Sequence, residues 1–281
     1  MKKYIKLARI HHWIKNLLIA FPLIFSGGLK NAENIASCIW GILIFSFISS
    51  FIYVVNDIRD AEKDRNHPVK CRRPVASGEI SERNAWIFAA ALLILAALTV
   101  MVSGNYRSDE LCLCAAYIIL NAAYSFGLKR VPIADIAVLV SGFIIRVAYG
   151  AAVIDVSVSD WLYLTVISAA FFFALGKRRN ECGNGLDTRG VLKYYTKNFL
   201  DKNMYVFLAL INVFYALWCR DSSSEKSLML TVPLVILICM RYSMDIEGDS
   251  DGDPVEVLVH DKPLMILCAV YGAILLAILY L

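Results

Sequence analysis

Nine apolar stretches, separated by charged loops, decide what this chain can fold into. They lie near residues 16–29, 35–55, 85–103, 110–128, 132–153, 161–176, 203–219, 228–244 and 264–281. A helix needs about 20 apolar residues to cross a hydrocarbon core of roughly 30 Å, and the first and sixth stretches are the shortest against that length. Such runs, in a chain that is 59% hydrophobic and 19% charged, exclude a soluble globule. The expected fold is all-α: a polytopic membrane helical bundle of about nine transmembrane helices, forming one integral-membrane domain over residues 1–281. The basic start and an apolar stretch ending Ser26-Gly27-Gly28 have the outline of a signal peptide, but eight further spans require that stretch as the first one. The eight cysteines form no C-x-x-C pair and read as small packing hydrophobes, not as a disulfide framework or zinc site.

Lys and Arg fix the orientation. With the N-terminus inside, all 28 except Lys30, Arg107, Arg146, Arg220 and Lys226 fall in inside segments. The positive-inside rule then puts the N-terminus in the cytoplasm and the C-terminus outside, which fits an odd number of spans.

The second span runs into Asn56-Asp57-Ile58-Arg59-Asp60-Ala61-Glu62-Lys63-Asp64. If its helix continues, at about 100° per residue, Asn56, Asp57, Asp60 and Asp64 fall within roughly a quarter turn and make one acidic face. Carboxylates on one face repel unless a cation lies between them, and oxygen ligands given singly suit Mg²⁺ that also carries substrate phosphates. With Arg59, Lys63 and Arg65 interleaved, the same run also reads as a solvated charged loop. Tyr53 stands one turn earlier, and Ser46, Ser49 and Ser50 carry a polar stripe back into the span, where the simplest reason for it is to line a cavity. An inside loop of about 27 residues follows, long for a helix connection. It holds His67-Pro68 and then Lys70-Cys71-Arg72-Arg73-Pro74. Acidic and basic clusters about ten residues apart suit a metal-diphosphate, with carboxylates on the metal and the forks of Arg72 and Arg73 on phosphate oxygens. Positive-inside bias and anionic lipid account for the same arginines without a ligand.

Other polar residues stand where apolar ones are the rule. Lys2 to Asn16 reads as a basic helix on the membrane surface; Lys15 and Asn16 could reach an anion there, or Trp13 and Lys15 could be interface anchors. Pro22 is expected to kink the first span. The fourth span aligns Tyr117, Asn121, Tyr124 and Ser125 and ends at Lys129, a pattern that also serves to glue helices. The fifth starts at Pro132 and sets Gly142 and Arg146 each within about 20° of Asp135. A charge at the depth of Arg146 is expected to face the interior with a partner, and to be functional. After the sixth span, Gly176-Lys177-Arg178-Arg179-Asn180-Glu181 is expected in an inside loop and lacks P-loop spacing. Val191 to Leu200 looks amphipathic, with Leu192, Tyr195 and Phe199 opposite Lys193 and Lys197, as in a lid lying on the membrane. The last inside loop, with Asp245, Glu247, Asp249, Asp251, Asp253, Glu256 and Asp261, lacks the ligand order of an EF-hand.

These residues together resemble the UbiA-type intramembrane prenyltransferase superfamily and, within it, the decaprenyl-phosphate phosphoribosyltransferase branch. The likeness runs through Trp13-Ile14-Lys15-Asn16, Tyr53 to Asp64, Arg72-Arg73-Pro74, Tyr124-Ser125 through Lys129, Asp135 to Arg146, Gly176-Lys177-Arg178 and Asp253-Pro254 to Pro263, in order along nearly the whole chain. It implies a helical bundle around a central, lipid-accessible cavity, with Mg²⁺ held by Asn56, Asp57, Asp60 and Asp64. It further implies transfer of a phosphoribosyl group from phosphoribosyl diphosphate to a polyprenyl phosphate lipid, on the cytoplasmic side of the cell membrane, in cell wall biosynthesis. Where the superfamily's prenyltransferases carry a second Asp-rich motif after the sixth span, this chain has Lys177, Arg178 and Arg179, with Glu181 and Asp187 nearby but no D-x-x-x-D. That departure suits a donor with an extra phosphate. Lys177 and Arg178 are then expected at the sugar 5-phosphate, Arg72 and Arg73 at the diphosphate, and Lys15, Lys129 and Arg146 at the lipid phosphate. Asn16, Tyr53, Tyr124 and Asp135 complete the expected substrate contacts. The alternatives are a prenyltransferase moving a polyprenyl group to an aromatic or other acceptor, and a carrier for an anionic solute, which would show paired broken spans that are not seen here. No nucleic-acid partner is expected, and assembly into an oligomer is compatible with the bundle.

Overall fold

Every regular element in the computed structural model is helical among the described residues, which are 2–104, 107–183, 190–222, 226–248, 252 and 254–281. The elements run α1 (Lys2–Ala8), a 3₁₀ stretch (Ile10–Ala20), α2 (Phe21–Phe25), α3 (Ala32–Arg59), α4 (Ala61–Arg65), α5 (Glu82–Ser103), α6 (Ser108–Phe126), α7 (Ala134–Val153), α8 (Asp160–Gly183), α9 (Lys197–Asp221), α10 (Val232–Glu247), α11 (Pro254–His260) and α12 (Lys262–Tyr280). Polar caps open several of them. Ser81, Thr196 and Asp261 accept from Asn84 N, Phe199 N and Leu264 N, satisfying amides that a helix start leaves open. The Leu264 amide, and then the Arg241 guanidinium, hold the Asp261 carboxyl below the usual carboxylate range.

The chain is a multi-pass membrane protein. Seven described helices are long and apolar enough to cross a membrane: α3, α5, α7, α8, α9, the segment Ser227–Glu247 that contains α10, and α12. On α12 the apolar window has a mean hydropathy of 2.3 and is only 11% buried, so its surface is suited to lipid and not to water. The other two expected spans are the short apolar segment Ile10–Phe25 and α6, which starts with Asp109 and Glu110. Nine crossings are therefore not established by helix length. Three expected boundaries move. The surface helix stops at Ala8 and gives way to 3₁₀ winding at Arg9, whose φ is 51°. The fifth span begins at Ala134, after Ile133 with φ 68°. The sixth runs on to Gly183, so Lys177, Arg178 and Arg179 are helical and not in a loop.

Two compact units make up the chain. The first comprises Met1–Leu23, Gly28–Gly127 and Ile145–Val156. Its long α3 packs along α5, and its cores gather Ile19, Phe45, Ile48, Tyr149 and Val153, and separately Leu7, Val54, Val75, Ile80 and Ala89. Glycine permits one close approach: a Cβ on Gly150 would lie 2.0 Å from the Ile19 carbonyl oxygen. Lipid tails are as apolar as leucine, so helix contacts here rest on packing that small residues allow.

The second unit comprises Ile24–Gly27, Leu128–Ile144 and Ser157–Leu281. In it α8 runs along α9, with the Phe171 and Phe207 rings stacked at 4.6 Å, and the core continues through Phe172, Leu175, Leu200, Met204 and Ile246. The expected amphipathic segment 191–200 is split. Leu192–Tyr194 forms a 3₁₀ turn, Tyr195 is extended, and α9 begins at Lys197, while Val191, Leu192, Tyr195 and Leu200 are all buried. Core burial on both sides of the turn is what divides it. Asp187, Gly185 and Arg189, and Asp249, Asp251 and Asp253 of the acidic loop, lie outside the described residues.

Candidate functional site

The acidic motif is built at the end of α3 in the first unit. The helix does not continue through it: α3 ends at Arg59, and Asp60, at φ −92° and ψ 2°, is the joint from which α4 departs. The backbone nonetheless stays wound, since Asp60 N donates to Asn56 O at 2.9 Å and Asp64 N to Asp60 O at 2.8 Å. Asp57 and Asp64 are buried, at 2% and 4% exposure. Buried carboxylates are costly unless paired, and both are. Arg73 Nη1 lies 3.2 Å from Asp57 Oδ1 and 2.6 Å from Asp64 Oδ2, while Arg9 Nη2 lies 2.5 Å from Asp57 Oδ1. Asn56 Oδ1 accepts from the Ser125 hydroxyl, which ties α6 to the motif. Tyr53 lies under Arg9, its ring centroid 5.1 Å from the guanidinium carbon. Arg59 stacks instead on Phe126 at 3.7 Å. Asn56, Tyr53, Asp60 and Tyr124 are half-buried, and Arg72 is exposed.

The loop that supplies Arg73 is folded, not free. Lys6 Nζ donates to Arg72 O at 2.7 Å, Lys3 Nζ to Glu79 O at 3.2 Å, and Val75 and Ile80 are buried beside Leu7. His67 Nδ1 accepts from the Val69 and Lys70 amides.

The serine stripe has a different use from the one expected. Asn16 Nδ2 donates to Ser46 Oγ at 2.9 Å and Ser49 Oγ at 3.3 Å; Ser50 accepts from Trp13 Nε1 and donates to Ala8 O. Ser46, Ser49 and Ser50 are buried and dock the N-terminal segment onto α3 instead of lining a cavity. The same network holds Arg146. Its Nε donates to Asn16 Oδ1 at 2.8 Å and its Nη2 to Tyr117 Oη at 2.9 Å, with the Phe45 ring at 5.1 Å. Lys15 is half-buried.

In the second unit a separate cluster surrounds Asp135, which is fully buried. Arg178 Nε donates to Asp135 Oδ2 at 2.7 Å and Nη1 to Glu181 Oε2 at 2.6 Å. The Tyr195 hydroxyl donates to Asp135 Oδ1 and accepts from Ile133 N at 2.7 Å. Burial, and then the bond to Asp135, push the Tyr195 hydroxyl up to about 12, so it stays a donor at neutral pH. Arg179 pairs with Asp201 at 2.5 Å and reaches Ile246 O at 3.0 Å. Lys177 and Lys129 are half-buried. Asp135 and Arg146 thus take different partners, although they share a face of α7. Sequence reasoning missed the roles of Arg9 and Tyr195: one is a single cation in a basic start, the other stood on the apolar side of an amphipathic segment.

Asn56, Asp57, Asp60 and Asp64 offer oxygen donors only, the chemistry that suits Mg²⁺. A cationic nitrogen of Arg73 already lies where the Asp57 and Asp64 oxygens converge, so these residues fit a hard divalent cation. Among the described residues no three His, Cys, Asp or Glu side chains form a ready-made cage, and Mg²⁺ is commonly held by one or two carboxylates with substrate phosphates completing its shell.

Residues 17–257 match the model of the UbiA prenyltransferase family. A decaprenyl-phosphate phosphoribosyltransferase of Mycolicibacterium smegmatis is 33% identical over 94% of this chain and 88% of its own length. Its counterpart in Corynebacterium glutamicum is 32% identical over 94% of this chain and 82% of its own length. Among solved structures, a UbiA homolog from Archaeoglobus fulgidus bound to GPP and Mg²⁺ has the same fold, with a TM-score of 0.74 at 22% identity over 99% of this chain and all of the other.

Proposed function

The chain belongs to the UbiA prenyltransferase family, and from that membership we propose that it transfers a 5-phosphoribosyl group from 5-phosphoribosyl 1-diphosphate to a polyprenyl phosphate, releasing diphosphate, with Mg²⁺ as cofactor. The observation that carries this reading is the convergence of Asp57, Asp64 and Arg73, where carboxylates meet a guanidinium, a group whose fork suits phosphate oxygens. Similarity to phosphoribosyltransferases over most of the chain favours this donor over a prenyl diphosphate. Both units are assigned to one transferase domain.

Asn56, Asp57, Asp60 and Asp64 would hold Mg²⁺, whose charge, once bound, offsets that gathering on the departing diphosphate. Arg72 and Arg73 fork onto diphosphate oxygens. Tyr53 and Tyr124 are assigned to substrate contact beside the motif. Arg178 is enclosed by Asp135 and Glu181, so the sugar 5-phosphate is assigned to Lys177, with Arg178 and Asp135 holding its helix in place. Lys15 and Lys129 are assigned to the lipid phosphate, and Asn16 orients Arg146, which adds positive potential. A lipid phosphate oxygen forms the new bond to the anomeric carbon as the bond to diphosphate oxygen breaks, and the electron pair leaves with the diphosphate. The acceptor is already ionised near pH 7, so no strong general base is required. Purified protein should release diphosphate when Mg²⁺, phosphoribosyl diphosphate and polyprenyl phosphate are all supplied, and should not when any one is omitted. Equal release without the lipid would contradict the reading.

We further place the N-terminus and the acidic motif on the cytoplasmic side of the cytoplasmic membrane, with Leu281 outside, from the Lys and Arg bias. A reporter inserted at Gly78 should be cytoplasmic and one fused after Leu281 external. Finding both on one side would contradict an odd number of spans.

A further inference from the structure

Arg9 lies before the region that matches the family model, yet its guanidinium makes a 2.5 Å contact with the most buried carboxylate of the acidic motif. It does so from a left-handed backbone conformation, φ 51° and ψ 50°, which a residue with a Cβ adopts only when its surroundings enforce it. The surroundings are specific. Ala8 O is held by Ser50, Trp13 by the same hydroxyl, and the Arg9 guanidinium by Tyr53 beneath it. The left-handed turn is what swings the side chain from the surface helix towards Asp57.

With Arg73, Arg9 makes a closed set: two guanidinium charges against the two carboxylate charges of Asp57 and Asp64. A divalent cation arriving alone would have to displace a guanidinium from Asp57 and would leave that guanidinium without its counter-charge. A cation arriving with a diphosphate brings the oxygens that the displaced guanidinium can take. We propose that Arg9, together with Arg73, occupies the cation position of the acidic motif until a metal-diphosphate arrives, and then passes to the diphosphate, making metal and diphosphate binding mutually dependent. This inference rests on the metal-diphosphate reading of the motif and adds a positioning residue and an order of binding to it.

The test uses the full chain in detergent, Mn²⁺ as the metal probe and inorganic diphosphate as the second ligand; because diphosphate itself complexes Mn²⁺, protein-bound metal is read by equilibrium dialysis against buffer holding the same Mn²⁺ and diphosphate. Wild-type protein should bind Mn²⁺ weakly alone and at least about tenfold more tightly with diphosphate. Arg9→Gln should bind Mn²⁺ alone about tenfold more tightly than wild type, because a competitor is gone, and should gain less from diphosphate. Arg9→Lys, which keeps the charge, should stay close to wild type. Should Arg9→Gln not yield folded protein, Arg73→Gln removes the other competitor and should likewise tighten Mn²⁺ alone. Unchanged or weaker Mn²⁺ binding in the Gln variant would overturn the proposal, because Arg9 would then only brace Asp57. Two controls separate this from failure of the underlying reading: wild type that binds no Mn²⁺ even with diphosphate, or Asp57→Asn that binds it as wild type does, would overturn both.

Discussion

Replacing Asp57 by Asn should lower turnover by about a hundredfold to a thousandfold or more, the scale seen when one group that stabilises developing charge is removed. The amide keeps the shape of the side chain, and its oxygen can still accept from Arg9, which lies 2.5 Å from the carboxylate oxygen. Arg73 keeps Asp64 at 2.6 Å. The variant should therefore elute as folded protein, with the loss confined to chemistry and metal binding. A neutral amide is a poorer ligand for a hard cation, so chelation of the wild type by EDTA should reproduce the loss. Near-normal turnover in Asp57→Asn folded protein would mean that the acidic motif is structural.

Arg178→Ala should act on the fold before it acts on the substrate. Arg178 and Asp135 are both 0% exposed, and their 2.7 Å contact neutralises two charges that have no access to water. Removing one partner of a buried pair costs about 3–5 kcal/mol, because the other charge stays behind. The thermal midpoint in a fixed detergent should fall clearly, and Asp135→Asn should lower it too. Removing both charges, as Asp135→Asn with Arg178→Met, should be less damaging than the sum of the two single changes. A stable Arg178→Ala that instead needs more phosphoribosyl diphosphate would return Arg178 to the 5-phosphate.

These two residues also show what a sequence reveals in a membrane protein. Asp57 was legible because three aspartates at regular spacing after an apolar run have few explanations, and because Arg72 and Arg73 follow within the same loop. The helix break at Asp60 was not legible, since the local spacing still suits a helix and the geometry of Asp57 and Asp64 is set by Arg73. The role of Arg178 was hidden by hydropathy. Three successive charges read as the end of a span, whereas α8 carries them on, with Arg178 neutralised by Asp135 and Glu181 and Arg179 by Asp201. Polar residues inside spans announced that they had work, but not which work. Ser46, Ser49 and Ser50 were set apart correctly and then assigned to a cavity, when their partners are Asn16, Trp13 and Ala8, 30 to 42 residues away in the chain. Arg9 had no sequence mark at all. Its left-handed turn and its contact with Asp57, 48 residues on, exist only in the folded chain.

The most direct measurement is the mass of the lipid product when purified protein with Mg²⁺ receives polyprenyl phosphate, phosphoribosyl diphosphate, a prenyl diphosphate and an aromatic acceptor together. The account gives a polyprenyl phosphate heavier by one phosphoribosyl unit, dependent on Asp57 and abolished by EDTA. A prenylated aromatic product with no phosphoribosylated lipid would contradict it.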